Sequence, residues 1–183
     1  SAVATPFPVE MQAPCRLVNK AIDWIDDTQD EPFFMWLSFA EPHNPFQAPE
    51  PYFSMFPVDE IPPVGAGVND LKSKGFKWEW CHQIAKEVYP DYDDLMPRSR
   101  ANYMGMLRLL DDQLKRFINH LKDSGSYENT IIFFVSDHGD FVGDYGMMRK
   151  GPEMPEALMR VPFIAVGPQI KAHEGAVSHM VSL

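Results

Sequence analysis

Cysteine, basic residues and long apolar runs are all scarce in this sequence, and each shortage excludes something. Two cysteines, Cys15 and Cys81, among 183 residues rule out a disulfide-dense scaffold and a zinc site of four cysteines. Whether they pair or stay free is open at this level. Lysine and arginine total 16 against 26 acidic residues, a net charge of −10. A surface for duplex DNA or an anionic membrane needs clustered Lys and Arg, so nucleic acid is not an expected partner. No apolar run reaches the roughly 18–20 residues of a membrane span. The opening Ser1-Ala2-Val3 has neither an initiator Met nor a signal-peptide pattern and reads as a cut edge. Apolar residues, in contrast, are plentiful: 45% hydrophobic and 13% aromatic, which excludes wholesale disorder. A chain of this length buries about 70% of its unfolded surface. Proline is the excess, 17 in all with seven between Pro42 and Pro63.

The spacing of Leu17, Val18, Ala21 and Ile25 predicts a helix from Pro14, a residue suited to a first turn, ending among Asp26, Asp27 and Asp30. Phe33–Phe39 is apolar almost throughout, the pattern of a strand covered on both faces. Residues 41–63 hold too much proline for a helix or central strand and read as a long ordered loop; with the weakly patterned 64–98, they make 41–98 a loop or insert region. Short helical turns are expected around Trp78–Val88. Tyr103, Leu107, Leu110, Leu114, Phe117, Ile118 and Leu121 predict a long helix from an N-cap at Ser99 to a stop at Gly125. Thr130–Val135 and Val161–Val166 read as two more buried strands. Strands separated by helices imply an α/β domain whose sheet is largely parallel, with right-handed crossovers.

Ligands in such sheets bind at the carboxyl ends of strands, and two strands here run into polar clusters. One leads to Glu41-Pro42-His43-Asn44-Pro45, the other to Ser136-Asp137-His138-Gly139-Asp140. Parallel neighbouring strands would bring His43, Asp137 and His138 to one edge. Asp137–Asp140 supports two readings: a turn built from common turn formers, or a metal site with a carboxylate and an imidazole just past a rigid strand. Asp140 suits capping as well as ligation. His43 between prolines is a surface histidine in a stiff loop or a catalytic group. Lys150, before Gly151-Pro152, is on its own an ordinary exposed lysine.

Taken together these segments resemble the sulfatase family. Glu41-Pro42-His43-Asn44-Pro45-Phe46 with Pro49 and Tyr52 is similar to its P-H-x-P…P…Y segment. Tyr103…Leu110-Asp111-Asp112-Gln113-Leu114 resembles the helix before its metal strand. Asn129–Asp140 resembles N-T-I-I-x-F-x-S-D-H-G-D/E, and Gly146…Lys150-Gly151 and Glu156…Arg160-Val161-Pro162-Phe163 resemble the segments after it. The resemblance covers residues 14–183 in family order and implies an alkaline-phosphatase-like, largely parallel sheet flanked by helices, here an incomplete domain spanning 1–183. It further implies Asp137 and His138 as ligands of a divalent cation, usually Ca²⁺ with Mn²⁺ in related hydrolases. His43 is implied beside the sulfuryl group and leaving oxygen, and Lys150 on the sulfuryl group. Tyr145 departs from the family, where His is frequent. The early paired Asp ligands and the Cys/Ser-x-Pro-x-Arg motif that yields formylglycine have no counterpart here, since neither Cys15 nor Cys81 has that context. The end, Val177–Leu183, resembles the stretch just before the family's D-L-x-P-T segment.

The resemblance therefore implies part of a sulfatase acting on a small-molecule or glycan sulfate ester, with formylglycine outside the segment. The segment alone is expected to be inactive, to bind calcium weakly and to self-associate through an uncovered sheet edge. Two alternatives stand beside it. One is a phosphodiesterase or phosphonate monoester hydrolase of the same superfamily, kept open by His138; the other is a non-catalytic binding module.

Overall fold

The computed structural model describes residues 3–28, 31–151, 153–173 and 175; the readings placed on Asp30, Pro152 and 177–183 fall outside them. The chain divides into two compact units, residues 1–117 with 141–149 and residues 118–140 with 150–183.

In the first unit, helix α1 spans Ala13–Asp27. Pro14 lies in its first turn, where a missing N–H costs no intrahelical bond. Val18, Ala21 and Ile25 of the predicted stripe are buried, while Leu17 is half-buried and Cys15 joins the covered face in its place. The long helix α3 starts earlier than its sequence pattern, at Tyr92, and runs to Asp123 with Pro97 inside it. Ser99 is thus an interior residue and not the N-cap. Pro97 removes one i→i−4 bond near the helix start, a loss that a helix of 32 residues absorbs. The buried face of α3 also differs from the apolar stripe. Ala101, Met106, Leu109 and Leu110 are buried while Leu107 is 38% exposed. The reason is close approach: a Cβ on Gly105 would stand 2.6 Å from the Tyr52 carbonyl oxygen. The helix presents Gly105 together with Met106 and Leu109 to the proline-rich segment.

That segment has no helix beyond single turns such as Val58–Glu60. Its carbonyls are satisfied instead by side chains of α3. Arg98 donates to the Phe53 and Phe56 carbonyls, Arg100 to that of Pro62, and buried Asn102 Nδ2 to that of Phe46 at 3.0 Å. Phe46, Ala48 and Tyr52 then pack with Cys15, Met106 and Leu109 as the core of this unit. Residues 64–98 hold more structure than their sequence pattern predicts: a turn at Val68–Ser73 and helix α2, Phe76–Val88, a full 13 residues.

In the second unit, β1 (Ile132–Val135) pairs with β2 (Phe163–Val166), Phe133 opposite Ala165 and Phe134 opposite Ile164. Both strands fall where the sequence put them, a few residues shorter, but they run antiparallel. Parallel pairing needs a crossover element, and the intervening α4, Glu156–Met159, is a single turn. The apolar run 33–39 forms no helix and joins no ladder among the described residues; Phe34 and Trp36 stay exposed. A strand is defined by its partners, and a hydrophobic run does not supply them. No described helix is long and apolar enough to cross a membrane.

Candidate functional site

β1 ends at Val135, and the next residues turn under three local constraints. Ser136 Oγ donates to the His138 carbonyl at 2.8 Å. Asp137 Oδ1 accepts the His138 N–H at 3.0 Å, and the Gly139 N–H donates to the Leu158 carbonyl at 2.8 Å. Gly139 is required for that last approach, because a Cβ there would collide with the Ala157 carbonyl. The loop is thereby pinned to α4.

These constraints set the state of the imidazole. His138 Nδ1 lies 2.6 Å from the Gly139 carbonyl oxygen, an atom that can only accept, so Nδ1 carries the proton. In the neutral ring, Nε2 is left with its lone pair outward. Asp137 Oδ2 stands 3.6 Å from it, on a side chain 86% exposed. The Lys150 ammonium donates to the same Nε2 at 2.5 Å. One exposed point therefore gathers an imidazole lone pair, a carboxylate oxygen and a cation. Asp137 and His138 fit a divalent ion in donor type and in sharing one side of the loop. Among the described residues no group of three or more His, Cys, Asp or Glu side chains could hold a metal. Within this chain the pair accounts for two ligands of the six or more such ions take.

His43 belongs to the other unit. Its N–H closes a turn onto the Ala40 carbonyl at 2.9 Å, and its Nδ1 donates to the Asn44 carbonyl at 2.7 Å, which directs Nε2 outward. It lines a cleft of about 240 Å³ with Gln12, Glu41, Gln47, Met106 and Leu109. The structure thus brings Asp137, His138 and Lys150 together. The sequence argument for joining His43 to them rested on two parallel strands, and that support is gone. Both cysteines are free thiols; burial, foremost, raises the pKa of Cys15 above its ordinary value.

Sequence reasoning missed two features of these loops. Ser136 received no role of its own in the sequence, and only its bond to the His138 carbonyl reveals it as a brace. Tyr145 was noted as a departure, but not that it sits at φ 57°, its N–H bound to the Ala66 carbonyl at 2.7 Å. Asp144 holds the same turn by accepting the Gly65 N–H at 2.8 Å. A positive φ on a bulky residue signals a constraint imposed from elsewhere, and no local motif announces it.

Comparison with known proteins bears on this site. The sulfatase family model matches residues 7–182. An arylsulfatase of Clostridium perfringens is 33% identical over 168 residues, covering 88% of this chain and 34% of the relative. The solved phosphonate monoester hydrolase of Agrobacterium radiobacter aligns with a TM-score of 0.79 at 29% identity, over 90% of this chain and 35% of that one. The corresponding hydrolase of Silicibacter pomeroyi, at 23% identity and a TM-score of 0.82, shares the fold. The chain spans about a third of the length of these relatives.

Proposed function

The chain belongs to the sulfatase family, and from that premise we propose that it forms the cation-holding and sulfuryl-holding part of a larger sulfate-ester hydrolase. The observation that carries the reading is the His138 ring, whose Nδ1–H is spent on Gly139 while Nε2 faces Asp137 Oδ2 and the Lys150 ammonium. The bond on the far nitrogen sets the tautomer, and the imidazole can ligate through Nε2 once the Lys150 ammonium leaves that lone pair for the sulfuryl group. Asp137 and His138 would hold a divalent cation, calcium first and manganese as the alternative. When bound, that ion supplies Lewis-acid stabilisation of charge on the ester's oxygens. Lys150 holds the sulfuryl oxygens by its fixed charge as the S–O bond breaks. His43, in its protonated form, gives the Nε2 proton to the leaving oxygen. The nucleophile, a formylglycine, belongs to the part of the parent protein outside these residues, so the 183-residue chain alone turns nothing over.

The test is a paired one. The full-length parent should hydrolyse 4-nitrophenyl sulfate, lose activity to a chelator and regain it with calcium; the 183-residue chain should show no turnover with or without metal, and calorimetry should find calcium binding no tighter than roughly millimolar. Turnover by the short chain, or a parent indifferent to chelation, would overturn the reading. A second reading has its own support in His138 and in the likeness to a phosphonate monoester hydrolase at 29% identity. A higher kcat/KM on a phenyl phosphonate ester than on the sulfate, measured on the same parent, would favour it.

A further inference from the structure

The two bonds that orient His43, its N–H on the Ala40 carbonyl and its Nδ1–H on the Asn44 carbonyl, lie inside the turn 40–44. They fix the ring only against its own backbone. Phe46 ties that turn to α3. Asn102 Nδ2 donates to the Phe46 carbonyl at 3.0 Å, and the neighbouring Tyr103 meets the Phe46 ring edge to face, centroids 5.9 Å apart. Asn102 is 0% exposed, on the helix face it shares at i+4 and i+7 spacing with buried Met106 and Leu109. Those two residues line the cleft beside His43, so the grip on Phe46 comes from the face that bounds that cleft. A buried amide costs stability unless its polar atoms are used, and an apolar side chain would cover this face without that cost. The carbonyl it serves explains its presence. The Asn44 carbonyl, which takes the His43 proton, lies two residues before that of Phe46. Pro45 stands between them, its own φ locked by the ring and the backbone of Asn44 restricted by it. With so little freedom between the two carbonyls, holding one orients the other.

We propose that Asn102 is a positioning residue for the reaction: through the Phe46 carbonyl it holds the Asn44 carbonyl, and through that the His43 ring, so that Nε2 meets the leaving oxygen. The proposal rests on the reading of His43 as the proton donor to that oxygen. Asn102 touches no substrate in this account and acts only on where the donor stands. Such placement matters, because a displacement of about 1 Å costs about 10²-fold in rate.

The experiment measures kcat/KM of the full-length parent on phenyl sulfate and on 4-nitrophenyl sulfate, for wild type, His43→Ala, Asn102→Ala and the double variant. Phenolate is the poorer leaving group and depends more on a donated proton, so a displaced general acid shows as a larger loss on phenyl sulfate. Asn102→Ala should lose about 10–100-fold on phenyl sulfate and at least about threefold less on 4-nitrophenyl sulfate. Made in the His43→Ala background, the same change should cost less than about twofold more, because the two residues act as one unit. Equal losses on both esters, full additivity with His43→Ala, or no loss at all would overturn the proposal. Should Asn102→Ala fail to fold, Asn102→Ser, whose hydroxyl stops short of the Phe46 carbonyl, is read in the same way. Should the parent hydrolyse neither ester, the reading of the function fails on its own, and the His43 ring decides Asn102 separately. Nitrogen shifts of the histidine-labelled parent should then show the Nδ1–H tautomer at neutral His43 in wild type and a mixture of tautomers in the Asn102 variant. An unchanged tautomer in the variant, or no preference in wild type, overturns the proposal.

Discussion

In the unit of residues 1–117 with 141–149, Leu109 and Ile25 keep 2% and 1% of their exposure, whereas in the unit of 118–140 with 150–183, Phe133 and Ile164 keep 62% and 53%. The side chains are equally apolar, and the architecture around them differs. A helix needs cover along one stripe, and the proline-rich segment 41–63 supplies it to α3 within the same unit. A strand needs cover on two faces and partners on two edges, and a two-stranded ribbon provides one edge each. The lesson concerns function as well. The loop bearing Asp137 and His138 follows the barely covered strand, and its order comes from the local bond of Ser136 to the His138 carbonyl and from the Gly139 N–H to the Leu158 carbonyl.

The largest expected effects are catalytic, with one residue taken from each unit and each variant read on its own. In the full-length parent, Lys150→Ala should lower kcat/KM by about 10²–10³-fold, and His43→Ala should lower kcat by about 10²–10⁴-fold. Lys150→Gln should not rescue, since it has no charge; activity of either alanine variant within threefold of wild type would detach that residue from the site. Next comes packing. By denaturant unfolding of the 183-residue chain, Leu109→Ala should cost about 2–5 kcal/mol, and Phe133→Ala less than about 0.5 kcal/mol. Similar costs would erase the distinction between the units. A smaller loss, about 1–3 kcal/mol, is expected for Gly146→Ala. Gly146 has φ 67°, and a Cβ there would stand 2.5 Å from Val68 Cγ2 and 3.0 Å from His82 Nε2.

The smallest effect is a slope with pH. Burial, foremost, lowers the His82 pKa below its ordinary value, against the pull of Asp93. The unfolded chain therefore binds the proton first as pH falls through about 6.5, and stability declines from there down to the lowered folded value. His82→Gln should flatten the unfolding midpoint between pH 7 and 5. A wild-type midpoint that rises on acidification would show that Asp93 outweighs burial.

What could be read in the sequence was whatever depends on near neighbours in the chain. Periodicity placed α1 with its buried face, both strands of the ribbon, and the polar loop after β1, because hydrophobic spacing and turn chemistry act within a few residues. Ordered motifs placed the chain in its family. The tertiary structure alone decided what hinges on distant partners: that α3 begins at Tyr92 and presents Gly105 to Tyr52, that β1 and β2 run antiparallel, and that 33–39 has no ladder among the described residues. It also decided that the His138 proton sits on Nδ1 with Lys150 at Nε2, and that Glu41 buries an oxygen with no partner among the described residues. Residues twelve positions apart meet at one atom there, and a single buried acceptor is defined by everything that fails to reach it. The ordered motifs already put His138 and Lys150 in one site; which ring nitrogen carries the proton has no period or spacing to announce it.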